Sequence, residues 1–194
     1  MADPLPPDDP ARFRPLAAGP AFGLRNKLAR IVWQLSWLLL ARWTPPPLWA
    51  WRRFVLKLFG AQIGPSARIH ASVRIWLPSR LTVGEGALIG PGAILYNQGA
   101  ICIGAHSVIS QRAHICASTH GVSDPQFRLL ERSVTIDEGC WVAAEAFVGP
   151  GVTMRAGSVL SARGALFEDT APMAVYRGNP AAWLCERRWI EEPR

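Results

Sequence analysis

Imidazole is the side chain whose ordinary titration range straddles neutral pH, so His70, His106, His114 and His120 are the chain's candidate acid–base groups. Three of them sit inside a regular repeat. His120 is the last residue before GVSDPQFRLLERSVT, residues 121 to 135, where that repeat lapses. The embedded three fit exposed or corner positions within regular coils, whereas His120 alone terminates the periodic block. Cys102, Cys116, Cys140 and Cys185 lie far apart, with no C-x-x-C pair and no cysteine–histidine spacing of a metal site. No metal is implied, and small buried thiols in a reducing cytoplasm are the expectation.

The repeat tells what must position these groups. From Ile63 the chain reads in sixes: IGPSAR, IHASVR, IWLPSR; then VGEGAL, IGPGAI, LYNQGA from Val83; then IGAHSV, ISQRAH, ICASTH from Ile103. It resumes at Ile136 with IDEGCW, VAAEAF, VGPGVT and continues from Met154 with MRAGSV, LSARGA, LFEDTA. An aliphatic lead every six residues fits neither the 3.6 period of a helix nor the alternation of a lone strand. It fits a solenoid whose short strands form the sides of a prism, with the leading residue inward and small residues at tight corners. Three hexads make one triangular coil, so residues 63 to 171 predict about five coils, with 121 to 135 an excursion between the third and fourth. Residues 172 to 194 would form a short closing element.

Ahead of the coils the charge is lopsided. Residues 1 to 60 hold nine Lys/Arg against three Asp, a balance of +6, while residues 61 to 194 hold twelve against eleven Asp/Glu. A basic arm of this kind suits an anionic partner such as a membrane surface rather than a nucleic-acid coat. Residues 1 to 20, acidic and proline-rich at the start, predict a flexible lead and no signal peptide. Residues 21 to 62 read as two short helices broken at Pro45 to Pro47. Between Arg30 and Arg42 only eleven residues are free of charge, too few to span a bilayer. Tryptophan and arginine interleaved on short apolar helices suit a lipid headgroup layer, and the same helices could equally cap the prism or pack between subunits.

PLWAWRRFVLKLFGAQIG, LYNQGAICIGAHSVISQRAHICASTH, GCWVAAEAFVGPGVTM and VYRGNPA together resemble the hexapeptide-repeat O-acetyltransferases of colanic acid and related exopolysaccharide synthesis. Maltose, galactoside and nodulation-factor acetyltransferases are the wider relatives, and the likeness covers residues 25 to 184. The resemblance implies a left-handed parallel β-helix, a homotrimer with clefts between neighbours, and acetyl-coenzyme A as acyl donor. It makes His120 the general base that takes a proton from an acceptor hydroxyl, with no covalent enzyme intermediate. Imidazole suits that task, because a sugar hydroxyl is a poor nucleophile at neutral pH.

The same resemblance places Asn97, Trp141 and Asp124 near the acceptor. A corner role for Asn97 and a packing role for Trp141 stay open, and so does whether Asp124 or Glu145 orients the imidazole. Ala144 and Ala162 match positions along the pantetheine arm. The relatives' phosphate-binding Thr-Lys pair is here Phe167 and Glu168, and their two C-terminal arginines fall at Ala182 and Cys185. That leaves Arg163, Arg177, Arg187 and Arg188 as the available cations, with Arg163 and Arg177 the candidates for the cofactor site. The expected reaction is acetyl transfer to a sugar hydroxyl in exopolysaccharide synthesis, on a sugar or a lipid-linked oligosaccharide acceptor, in the cytoplasm either free or peripheral at the inner face of the plasma membrane. A small soluble sugar or serine as acceptor, or a catalytically silent scaffold, are the other readings. A carbonic anhydrase β-helix would need three zinc-ligand histidines, whose spacing is not evident.

Overall fold

The computed structural model describes residues 10–15, 17 and 19–189; residues 1–9 of the expected lead and 190–194 of the closing element lie outside these. Three parallel sheets form a prism. The first face stacks Gln62–Ile63, Leu81–Val83, Ile101–Ile103, Val134–Ile136 and Thr153–Met154. The second stacks Arg68–Ile69, Leu88–Ile89, Val108–Ile109, Trp141–Val142 and Val159–Leu160, then ends in a hairpin of Ala174–Gly178 and Ala181–Glu186. The third stacks Arg74–Ile75, Ile94–Tyr96, His114–Cys116, Phe147–Val148 and Ala165–Leu166. Five full coils and the start of a sixth result.

The hexad maps onto this geometry position by position. Every one of the fifteen leading residues, from Ile63 to Leu166, is at most 7% exposed. Ten of the fifteen fourth positions turn the corner in the left-handed region, with glycine at 86, 92, 139, 151 and 157, and with Ser66, His106, Arg112, Glu145 and Arg163 at φ between 54° and 59°. Second-position glycines answer to a different demand. A Cβ on Gly64, Gly84 or Gly104 would lie 2.5 Å from the backbone of the coil above, so only hydrogen fits where these coils touch. The extra residues before Val83, Ile103 and Ile136 lengthen the first face, and Leu81, Ile101 and Val134 bury there as second inward residues.

Two helices, α1 (Leu24–Leu40) and α2 (Trp49–Leu58), close the open first coil. α1 inserts Trp33 and Trp37, whose indole N–H groups donate to the Ile75 and Ala71 carbonyls at 2.9 and 3.2 Å. α2 buries Val55, Leu56 and Arg52 completely or nearly so. The Arg52 guanidinium meets no carboxylate; it donates to the carbonyls of Ile69 (2.7 Å), Thr44 (3.3 Å), Pro45 (3.0 Å) and Pro46 (2.8 Å) and to the Thr44 hydroxyl (2.7 Å). It ties the linker between the helices to the first coil, and burial lowers its pKa. The interleaved tryptophans and arginine of the arm thus divide, with Trp33, Trp37 and Arg52 facing the prism.

Candidate active site

After the third coil the chain leaves the prism as an antiparallel hairpin, Ser118–His120 paired with Leu129–Glu131, and re-enters at Val134. The hairpin begins three residues before the 121–135 lapse in the repeat and ends before the lapse does, with Val134 and Thr135 already in the first face. Its base is fastened to the coils: the Ser118 hydroxyl donates to Gln98 Oε1 at 2.6 Å, and Arg80 pairs with Glu131 at 2.7 Å. His120 sits at the last paired position, opposite Leu129.

The tip returns over the imidazole. Phe127 stacks on it face to face, with centroids 4.2 Å apart and planes 1° from parallel, and the Phe127 carbonyl lies 2.7 Å from His120 Nδ1. A carbonyl can only accept, so Nδ1 carries a proton, and in the neutral ring the lone pair is at Nε2. No hydrogen bond occupies Nε2 among the described residues. The ring is half-buried and lines a cleft of about 420 Å³ with Phe127, Leu129 and Glu131 of the hairpin, Pro15 and Gly19 of the lead and Ala21 just after it. Such an imidazole, held in one tautomer and open at the other nitrogen, can take a proton from a hydroxyl in the cleft.

Asp124 and Glu145, the two candidates for orienting His120, both act elsewhere. The Asp124 carboxylate accepts from the backbone N–H of Gln126 (3.0 Å) and Arg128 (3.2 Å) and from Arg128 Nε (2.6 Å), which holds its pKa below the usual carboxylate range. By pinning both neighbours of Phe127, which itself has φ +51°, it holds the turn that presents the Phe127 carbonyl. Glu145 bridges Arg163, at 2.7 Å, and Arg112, and these arginines lower its pKa.

The remaining candidates fall into separate groups. Asn97 is wholly buried, its amide oxygen accepting from the backbone N–H of Trp76 and Leu77 at 3.0 and 3.2 Å and its NH₂ donating to the Leu77 carbonyl at 2.5 Å. It clamps the first coil's last corner. Trp141 stands out from the second face, 45% exposed, with its indole N–H on the Ser110 hydroxyl at 2.9 Å. Ala144, Ala162 and Arg163 share the corner between the second and third faces, where the Arg163 N–H donates to the Ala144 carbonyl at 2.9 Å. Arg177 is exposed at the tip of the closing hairpin. Arg187 is spent on the carbonyls of Gly139 and Gly157 at 2.8 and 2.9 Å, and Arg188 reaches Glu186 at 3.7 Å. Within one chain, then, the His120 hairpin and the Trp141–Ala144–Ala162 surface occupy different sides of the prism.

The other histidines are structural in setting. His70 meets the Ser72 hydroxyl at 3.1 Å, and His114 lies half-buried between Tyr96 and Phe147; desolvation first, then nearby arginines, lowers both pKa values. Among the described residues no three His, Cys, Asp or Glu side chains gather as a metal site. Two contributors escaped residue-type reasoning. Phe127 works through its backbone and its ring, and the lead reaches the site through the Arg14 N–H on the Pro125 carbonyl (2.6 Å) and Phe13 edge-on to Phe127 (5.6 Å). Only the aromatic residue within DPQF hinted at either.

No protein-family model matches the chain. It is 43% identical over 157 residues to the colanic acid biosynthesis acetyltransferase WcaF of Escherichia coli (strain K12), which covers 79% of this chain and 86% of that protein. Among solved structures, a hexapeptide-repeat acetyltransferase of Vibrio cholerae O1 biovar eltor complexed with acetyl-coenzyme A superposes with a TM-score of 0.79 at 16% identity, covering 87% of this chain and 92% of the other. A galactoside acetyltransferase in complex with coenzyme A gives a TM-score of 0.78 at 19% identity, covering 86% and 84%.

Proposed function

The chain belongs to the hexapeptide-repeat acetyltransferases of the colanic acid biosynthesis type, and from that membership we propose that it transfers an acetyl group from acetyl-coenzyme A to a sugar hydroxyl of an exopolysaccharide repeat unit, with His120 as general base. His120 Nε2 takes the hydroxyl proton while that oxygen attacks the thioester carbonyl carbon. The tetrahedral intermediate collapses with cleavage of the C–S bond, and the imidazolium returns its proton to the departing thiolate. Donor and acceptor react directly within one ternary complex, so no acyl-enzyme forms. The observation that carries this reading is the Nδ1 contact to the Phe127 carbonyl, which leaves Nε2 basic and facing the cleft.

The division of candidate residues between two sides of the prism supports a homotrimer in which one copy's hairpin faces its neighbour's Trp141, Ala144, Ala162 and Arg163. In that assembly the small side chains at 144 and 162 let the pantetheine arm approach, and Arg163 or Arg177 meets the phosphates. Asn97 and Asp124 contribute to the acceptor pocket by holding its walls. A lipid-linked acceptor would bring the enzyme to the inner face of the plasma membrane. Coenzyme A release, followed with a thiol reagent, tests the assignment: turnover should rise with oligosaccharide repeat units. Turnover with serine instead, or with no acceptor of either kind, would overturn it.

A further inference from the structure

Once Trp33, Trp37, Val55 and Leu56 are buried against the first coil, α1 still turns Leu24, Leu28, Ile31, Val32, Leu35, Leu38 and Leu39 to solvent, each between 52% and 71% exposed. At about 100° per residue these positions form one continuous pole opposite the two buried tryptophans. The turn after α1 and the outer side of α2 extend it with Trp43, Phe54 and Leu58, exposed by 72%, 56% and 69%. A soluble monomer rarely leaves so large an apolar patch uncovered.

Charge selects the occupant. Residues 10 to 60 carry nine Lys/Arg and no carboxylate; Arg52 is buried, while Arg25, Lys27, Arg42 and Lys57 are exposed on or beside the two helices. A second copy meeting this face with its own would oppose cation to cation with nothing to pair them. An anionic lipid surface complements both properties, since acyl chains take the leucines and headgroups take the arginines and lysines. α1 has 17 residues, and no helix among the described residues is long and apolar enough to cross a membrane. We propose that the outer pole of α1, continued by Trp43, Phe54 and Leu58, is a docking surface for anionic bilayers, in which α1 lies in the interface plane.

This rests on the lipid-linked acceptor reading only for its purpose; the binding itself is measured without catalysis. Full-length protein should float with vesicles of mixed phosphatidylglycerol and phosphatidylcholine, less well at high salt and less well with phosphatidylcholine alone. Leu28→Glu/Leu35→Glu changes two solvent-facing residues, so folding, followed by circular dichroism, should be unchanged while partitioning weakens at least about tenfold. His120→Ala should float like the unaltered protein, which separates loss of chemistry from loss of docking. The proposal is overturned if the double variant floats undiminished, if the unaltered protein ignores anionic vesicles, or if the double variant instead lowers the number of associated copies in sedimentation.

Discussion

Replacing His120 with Ala or Asn isolates its base from its structural role. The imidazole makes one hydrogen bond, to the Phe127 carbonyl at 2.7 Å, and one stack, at 4.2 Å. Losing them costs roughly 1 kcal/mol for the bond and about 0.5–1.5 kcal/mol for the stack. That loss falls on a hairpin outside the prism, whose fifteen leading residues stay buried. Global unfolding should therefore move little. Catalysis should not be spared: losing a general base slows the chemical step about 10²- to 10⁴-fold, equivalent to about 2.7–5.4 kcal/mol of barrier. Asn keeps an N–H donor for the Phe127 carbonyl but has no basic nitrogen, so it should restore hairpin order without restoring rate. Coenzyme A release under saturating acceptor gives kcat, and equilibrium titration gives coenzyme A affinity, which should hold steady in both variants. If either variant keeps more than about a tenth of the original kcat, well above what a lost base permits, His120 is not the base.

Arg52→Met should destabilise the protein by about 3 kcal/mol, because the buried Ile69 and Thr44 carbonyls, the Thr44 hydroxyl and the partly buried Pro45 and Pro46 carbonyls lose their donor at once; a fall in urea stability below about 1 kcal/mol would show that water replaces the guanidinium at little cost. Acidification should erode stability in two stages. His70 and His114 have folded pKa values below their unfolded ones, so the unfolded chain takes up protons first, and their contribution is full above about pH 6.5 and lost as pH falls below it. Asp124 and Glu145, also lowered, contribute above the ordinary carboxylate range, and that stability goes only as pH drops through their folded values. Chemical denaturation across pH checks this, and His114→Phe should flatten the upper stage; an unchanged profile in that variant would contradict the assignment.

What the sequence made legible follows from which contacts are periodic. Coils stack one way, so hexad positions meet recurring demands: burial at the first in every hexad, a close backbone at the second on the first face of the early coils, and a left-handed corner at the fourth in ten of the fifteen hexads. Residue type answers each demand, and the prism can be read from it. The excursion announces itself as a lapse in that pattern, and His120 as the residue before it. What orients His120 left no trace, because a backbone carbonyl is common to every residue and the turn presenting it is held by Asp124 at a distance.

The helices show a different limit. α1 carries an aliphatic pole and, opposite it, Trp33 and Trp37, so its sequence does not say which of the two faces the prism. Tryptophan is as suited to a headgroup layer as to a protein seam, and arginine likewise. The decision lies in partners supplied by the first coil, whose open edge offers the Ile75, Ala71 and Ile69 carbonyls. On α1 the two tryptophans, which carry N–H donors, go there, and the aliphatic side chains, which need no partner, are left facing out. The same unsatisfied carbonyls that fix the cap thus determine which face remains for a lipid surface to cover.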